Sequence, residues 1–290
     1  MNMPQPLVST DWLADNLDKP DLVIFDTTLY LRHKEGGGYL PESGRENFEQ
    51  SHIPGAQFFD HIKEFANPDI DIPFMMPEAE AFAELLKPYG VSDNSLVVFY
   101  NDGIPMWSTR AWWMFRSVGL NNVAVLDGGL KKWRAEGRPE TSDAAQPKSG
   151  GELTVKADSS FWADKDAMLK NIDSAAACTI NALAPEVFSG EKNQYGRPGH
   201  IPGSHNIFYG DLINGEDTSF LPADQVREKF AAVGALDEKP VIAYCGGGIS
   251  ATMDAMMLFQ LGKTDVSVYD GSMSEWIRDP DLPLNLGEAP

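Results

Sequence analysis

Val241-Ile242-Ala243-Tyr244-Cys245-Gly246-Gly247-Gly248-Ile249-Ser250-Ala251 is the stretch whose reading decides the fold. Four apolar or aromatic residues run straight into a glycine-rich turn, as at the end of a buried strand in a parallel sheet. The run that follows, Ala251 to Leu261, is largely apolar and helix-forming. Cys245 therefore falls at the carboxyl end of a strand and under the N-terminus of a helix. Loose backbone amides and the positive end of the helix dipole surround a sulfur placed there. Such surroundings favour the thiolate and make a nucleophile. Three successive glycines let the backbone curl tightly, so that several N–H groups converge on one anion. The expected nucleophile is Cys245, and the expected anion cradle is Gly246, Gly247, Gly248, Ile249, Ser250 and Ala251.

Outward from this stretch, strand and helix patterns alternate, which predicts an α/β fold with mostly parallel sheets flanked by helices. Strands are expected at Asp21–Asp26, Leu96–Tyr100 and Val123–Leu126. Helices are expected at Arg45–Gln50, Pro77–Tyr89 with Gly90 as its stop, Trp107–Val118 and Gly128–Ala135. The second half then repeats the first. His52-Ile53-Pro54-Gly55 recurs as His200-Ile201-Pro202-Gly203, offset by 148 residues. Val97-Val98-Phe99-Tyr100 recurs as Val241-Ile242-Ala243-Tyr244, offset by 144. Val123-Ala124-Val125-Leu126-Asp127-Gly128 recurs as Val266-Ser267-Val268-Tyr269-Asp270-Gly271, offset by 143, and Trp133 and Trp276 keep that offset. Three blocks in one order define a duplicated domain of ordinary size. The expected layout is a first domain over 7–138, a linker over 139–157 and a second domain over 158–285. The linker rests on the small, polar, Pro/Gly-rich run 139–151. Asp158-Ser159-Ser160 offers N-caps for a helix to about Lys170.

The repeat is also an internal control. The position of Cys245 in the first copy is Asn101, inside Asn101-Asp102-Gly103-Ile104-Pro105. One copy can do thiol chemistry and the other cannot. His52 and His200 begin the same Ile-Pro-Gly turn in both copies, including the copy without a thiol, so a turn or packing role is expected of them. Tyr100 and Tyr244 match in the same way. The run Trp112-Trp113-Met114-Phe115 reads as helix core.

Composition narrows the function classes. Lys and Arg number 23 against 43 Asp and Glu, a formal charge of −20. A nucleic-acid partner is not expected, because phosphate binding needs a basic face. No apolar run approaches the ~18 residues of a membrane span, and the N-terminal Met1-Asn2-Met3-Pro4-Gln5-Pro6-Leu7-Val8 has no signal-peptide pattern. The two cysteines, Cys178 and Cys245, lie in different strand-like runs. Two free thiols in a reducing, cytoplasmic setting are expected, with Cys178 buried and inert. No metal cluster and no cofactor motif is visible, and Gly246-Gly247-Gly248 lacks the Lys-Ser/Thr of a P-loop. A cysteine phosphatase would need an arginine six residues after its cysteine; that position is Ala251, so a phosphate dianion would be poorly balanced.

These residues resemble the tandem rhodanese-type sulfurtransferases, the thiosulfate and 3-mercaptopyruvate sulfurtransferases. The resemblance runs from about Leu7 to Trp276. It rests on Gly199-His200-Ile201-Pro202-Gly203 and its partner at 52–55, on Trp112-Trp113-Met114-Phe115-Arg116, on Leu126-Asp127-Gly128-Gly129-Leu130 with Trp133, and above all on Tyr244 to Ala251. It implies an inactive N-terminal domain and a catalytic C-terminal one, with the site facing the domain interface. It also implies a two-step transfer: Cys245 takes the outer sulfur of a small anionic donor as a persulfide, then yields it to a thiol, cyanide or thioredoxin-like acceptor. Ser250 would add a hydroxyl donor toward sulfur or substrate. The other reading left open is a persulfide carrier or binding module that serves a protein partner without turnover.

For the donor, the resemblance points two ways. The Cys245–Ser250 loop is closer to the mercaptopyruvate type, having no basic residue. Yet the positions where such enzymes often carry Asp and His are Ile62 and Phe74, and the first carboxylate-binding arginine is replaced by Val187. Arg197 is the expected clamp for the donor anion.

Overall fold

The two halves build the same sheet twice. The computed structural model describes residues 6–33, 39–144 and 150–290. The strands are β1 (Leu7–Val8), β2 (Leu22–Asp26), β3 (Leu29–His33), β4 (Tyr39–Ser43), β5 (Ala56–Phe58), β6 (Leu96–Tyr100), β7 (Val123–Leu126), β8 (Trp162–Ala163), β9 (Cys178–Asn181), β10 (Ser204–Asn206), β11 (Val241–Tyr244) and β12 (Val266–Tyr269). The first sheet runs β1-β7-β6-β2-β5 and the second β8-β12-β11-β9-β10, with every neighbour parallel. Strand for strand, the order is the same. Strands β2, β6 and β7 are buried at every residue, because helices cover both faces of a parallel sheet. Hence these strands read as apolar runs rather than alternating ones, broken only by Asp26 at the end of β2.

Helix boundaries follow the sequence closely where stop signals are strong. Arg45–Gln50 forms as expected, and Ala79–Leu86 continues as a 3-10 turn to Tyr89 before Gly90 takes a left-handed cap at φ 74°. Asp158 departs from expectation. It caps only the 3-10 turn Ser159–Phe161, after which the chain enters β8, and the helix begins at Lys165 with Asp164 as its cap. Both aspartates are good caps; the edge position beside β12 decides that residues 162–163 extend instead of coil. The antiparallel hairpin β3–β4 was not anticipated. Among the described residues it has no counterpart in the second half.

The expected linker is pinned along the first domain. Thr154 N–H donates to Asp93, Lys156 N–H to the Val118 carbonyl and Asp158 N–H to the Ser117 carbonyl. Residues 145–149 of that linker, and 1–5 of the expected leader-free N-terminus, lie outside the described residues. The paired histidines explain how each domain is closed. His52 faces the carbonyls of Phe48 (2.6 Å) and Asp143 (3.2 Å), and His200 those of Phe188 (2.9 Å) and Ala289 (3.0 Å). Each ring stacks on that phenylalanine and bridges to the segment leaving the domain, at Thr141 or Asn285. The turn histidines are thus clasps that hold each domain's exit.

The halves pack through equivalent helices, Met106–Ser117 and Ala251–Gln260. Thr109 and Thr252 hydroxyls meet at 2.7 Å, and Trp112 lies edge-on to Phe259. One apolar core spans both halves, including Trp112 and Phe115 from the first and Met256, Met257 and Trp276 from the second. The contacts are reciprocal. Asp127 accepts from Phe220 N–H of the second half, and Asp270 accepts from Met76 N–H of the first, each at 2.8 Å. Among the described residues, no helix is long and apolar enough to cross a membrane.

Candidate active site

Strand β11 ends at Tyr244, and six residues separate it from the helix Ala251–Gln260. Cys245 stands in that gap, 2% exposed, with its thiol unpaired; Cys178, the other cysteine, is also free. Cys178, expected to be buried, is only half-buried because it opens β9; its thiol faces the Val233 carbonyl, and the burial it has raises its pKa. The two cysteines therefore sit in different chemistry.

The loop after Cys245 is held from outside. The Cys245 carbonyl accepts from Met273 N–H at 3.1 Å. The Gly246 carbonyl accepts from both Ser274 N–H (2.8 Å) and Ser274 Oγ (2.7 Å). The Gly248 carbonyl accepts from Arg110 Nη1 at 3.2 Å. In a planar trans peptide, the C=O and the following N–H point opposite ways. Pinning these three carbonyls therefore turns the N–H groups of Gly246, Gly247 and Ile249 to the other side of the loop. Among the described residues, no acceptor takes those three, nor the N–H groups of Ser250 and Ala251 at the helix start. Five amides without an acceptor among the described residues thus follow Cys245 in the chain, an arrangement of the kind that can receive an anion.

Two amides behave differently from expectation. Cys245 N–H (3.1 Å) and Gly248 N–H (3.0 Å) both donate to Ser272 Oγ, which itself donates to the Tyr269 carbonyl. Gly248 thus contributes shape rather than a donor. Its φ is +70°, and a Cβ there would lie 2.6 Å from the Asp270 carbonyl, so only glycine fits. Gly246 makes room for a side chain: a Cβ there would lie 1.9 Å from the Tyr195 hydroxyl and would displace it. Gly247 has open space, with only Ser274 Oγ in reach at 3.7 Å.

Ser272 is a non-glycine residue at φ 47°. Its counterpart in the first copy is Gly129, also left-handed at φ 53°. The serine accepts a backbone conformation that disfavours side chains and gains the hydroxyl that gathers two loop amides.

Arg110, from the half without a thiol, is fully buried. Besides Gly248 it donates to Asp270 Oδ1 at 2.6 Å and to the Phe74 carbonyl at 2.7 Å, and its guanidinium lies 4.6 Å from the Trp162 ring centroid. Asp270 Oδ2 takes Met76 N–H. Sequence reasoning missed Arg110, Ser272 and Ser274. The repeated Asp-Gly block was visible, but nothing in it shows that the block turns back onto the cysteine loop.

The remaining expected residues are placed as follows. Ile249 packs with Leu29 and Trp107, joined by Ile62, Phe74 and Met106, so the first half presents an apolar wall to the loop. Ser250 is buried and already helical, and its side chain makes no cap. Arg197 does not reach the loop through any hydrogen bond. It donates to the carbonyls of Asp279 (2.8 Å) and Leu282 (2.7 Å). It lies three residues before the His200 clasp, so its fork meets the carbonyls of the C-terminal segment and braces that segment instead.

In the matching place of the first copy, the Asn101 side chain donates to the Ile104 carbonyl and accepts from Ser108. The Asn101 side chain is thus held by residues of its own copy.

Comparison with known proteins agrees with this architecture. The rhodanese-like domain family matches residues 9–136 and 189–279. Thiosulfate/3-mercaptopyruvate sulfurtransferase 2 of Arabidopsis thaliana is 32% identical over 97% of this chain and 86% of its own length. The 3-mercaptopyruvate sulfurtransferase of Mus musculus is 34% identical, covering 93% of this chain and 91% of its own. The crystal structure of the 3-mercaptopyruvate sulfotransferase SseA of Escherichia coli superposes with a TM-score of 0.81 at 28% identity, over 92% of this chain and 98% of that one. With both copies matched and relatives aligned over nearly their whole length, the chain belongs to the rhodanese-like family and is a two-domain sulfurtransferase.

Proposed function

We propose that Cys245 carries the transferred sulfur as a persulfide and that 3-mercaptopyruvate is preferred to thiosulfate as donor. The observation that carries the reading is the three outward-pinned carbonyls, which turn the Gly246, Gly247 and Ile249 amides to the open side of the loop, where, with those of Ser250 and Ala251, five amides next to Cys245 in the chain have no acceptor among the described residues. In the first step the Cys245 thiolate attacks the donor's thiol sulfur. An S–S bond forms and the C–S bond breaks, its electron pair passing to carbon as the enolate of pyruvate. The sulfur-bound proton moves to that carbon, leaving pyruvate and a persulfide anion. In the second step an acceptor thiolate attacks the outer sulfur and regenerates the Cys245 thiolate. The cycle alternates two forms of the enzyme, free thiol and persulfide, so ping-pong kinetics are expected.

The donor preference follows from charge. Among the described residues no cationic side chain hydrogen-bonds to an unpaired part of the loop: Arg110 is held by Gly248, Asp270 and Phe74, and Arg197 by two carbonyls. A dianion such as thiosulfate needs more compensation than a monocarboxylate. The acceptor is a small thiol, cyanide or a thioredoxin-like thiol in a reducing cytoplasm.

The test is kcat/KM for the two donors side by side, with mass spectrometry of the donor-treated protein. A cyanide-labile gain of one sulfur on Cys245, and a higher kcat/KM for 3-mercaptopyruvate, are expected. Full activity in Cys245→Ser, or the extra sulfur on Cys178, overturns the persulfide reading. A higher kcat/KM for thiosulfate overturns the donor preference alone.

A further inference from the structure

We propose that Tyr195 is a catalytic residue, its phenol donating a hydrogen bond to the sulfur that Cys245 carries. The inference rests on the Cys245 persulfide reading and adds a donor that the loop itself lacks.

The phenol is built against the residue that follows the nucleophile. Its oxygen lies 1.9 Å, and its Cζ 2.6 Å, from where a Cβ of residue 246 would stand. Glycine at 246 thus leaves room for a side chain arriving from another segment, and that side chain ends in a hydroxyl. Gln194 Nε2 donates to the Tyr195 oxygen at 3.1 Å. The phenol therefore already accepts, and among the described residues its own hydrogen has no acceptor. The ring packs against the main core, which fixes its direction.

The chemistry calls for such a group. A persulfide puts its charge on the outer sulfur, one bond farther from the backbone than the thiolate. Loop amides reach the inner sulfur first, and no guanidinium or ammonium hydrogen-bonds to the loop's open side among the described residues. A neutral O–H donor above Gly246 complements an outer sulfur without the desolvation cost of a buried cation. Burial raises the Tyr195 pKa far above neutrality, with the Cys245 charge adding to the rise, so the phenol keeps its proton at working pH. Tyr209, whose pKa burial also raises, and Tyr39 of the β3–β4 hairpin lie within electrostatic reach of the same groups.

The experiment compares wild type with Tyr195→Phe and, separately, Gly246→Ala, which displaces the phenol without deleting it. Three quantities are read: kcat/KM with 3-mercaptopyruvate, the half-life of the isolated persulfide, and the pH profile of Cys245 alkylation by iodoacetamide. Removing one hydrogen bond to a charged group is expected to lower kcat/KM about tenfold or more. The persulfide half-life should shorten and the alkylation profile shift to higher pH in both variants, with melting temperature unchanged in Tyr195→Phe. Rates and profiles within twofold of wild type overturn the assignment while the persulfide reading stands. A loss of activity that follows a lower melting temperature, with the alkylation profile unmoved, also overturns it, since a packing role alone gives that result. Absence of any persulfide on wild-type Cys245 removes the underlying reading, and this assignment with it.

Discussion

Arg110 Nη1 and Asp270 Oδ1 meet at 2.6 Å across the boundary between the two halves, the arginine fully buried and the aspartate nearly so. The pair joins a residue of the thiol-free half to the block that folds back on the Cys245 loop. It also aims the same guanidinium at the Gly248 carbonyl. The half that has no cysteine is therefore part of the support of the Cys245 loop.

Removing one partner of a buried pair leaves the other charge uncompensated, at a cost of about 3–5 kcal/mol. Arg110→Met is expected to lose stability of that order by urea unfolding and to lower kcat, because the Gly248 carbonyl is released. Arg110→Met combined with Asp270→Asn should lose clearly less than the sum of the two single variants. Additive losses would mean that the two side chains are not coupled.

Ser272→Gly separates strain from hydrogen bonding. Glycine relieves a left-handed conformation worth about 1–3 kcal/mol, but it orphans the Cys245 and Gly248 amides, at about 1–3 kcal/mol each. Stability should fall modestly while kcat falls at least tenfold, checked by urea unfolding and steady-state rates. Retained kcat would show that the serine hydroxyl does not shape the loop.

The three loop glycines should respond differently. Gly247→Ser faces open space and is expected to change stability by less than about 0.5 kcal/mol while altering the ratio of kcat/KM between donors. Gly248→Ala combines a left-handed φ with a 2.6 Å approach to the Asp270 carbonyl and should cost more than about 2 kcal/mol. Equal tolerance at both positions, by thermal unfolding, would contradict the loop geometry.

His61 gives the pH dependence a sign. It is buried, it faces the Trp107 carbonyl, and desolvation followed by the Arg110 charge lowers its pKa from 6.5 to about 3. The unfolded chain therefore binds a proton below pH 6.5 that the folded chain refuses, so stability is lost as pH falls through that window. At 1.36 kcal/mol per pKa unit, the loss reaches about 3 kcal/mol near pH 4. His61→Gln keeps a donor for Trp107 and removes the titration. The stability difference between wild type and variant should shrink by that amount between pH 6.5 and 4; a constant difference would exclude His61 as the source.

Much of the molecule is legible in the sequence. Strands β6, β7 and β11 and the helix after Cys245 stand out because an apolar run ending in glycine has few other uses in a parallel sheet. The duplication showed through three blocks whose residues either pack or turn the chain. The hairpin β3–β4 and strand β8 escaped because two-residue and half-exposed strands carry almost no periodic signal. For Arg197 the sequence gives only the residue type, a good anion ligand; that two carbonyls of the C-terminal segment hold its fork is visible only in the packed structure.

The sequence by itself determined the α/β duplication, the single thiol at a strand end, and the absence of a thiol from the matching Asn101 loop, since each depends on local composition and spacing. Tertiary structure decided which groups surround that thiol. Arg110, Ser272, Ser274 and Tyr195 lie from 27 to 135 residues away from Cys245 along the chain. Their hydrogen bonds and close approaches exist only once the two halves and the Asp270 turn have packed. Local propensity places a cysteine beneath a helix; the directions of the amides around it are imposed by whatever holds the carbonyls on the other side.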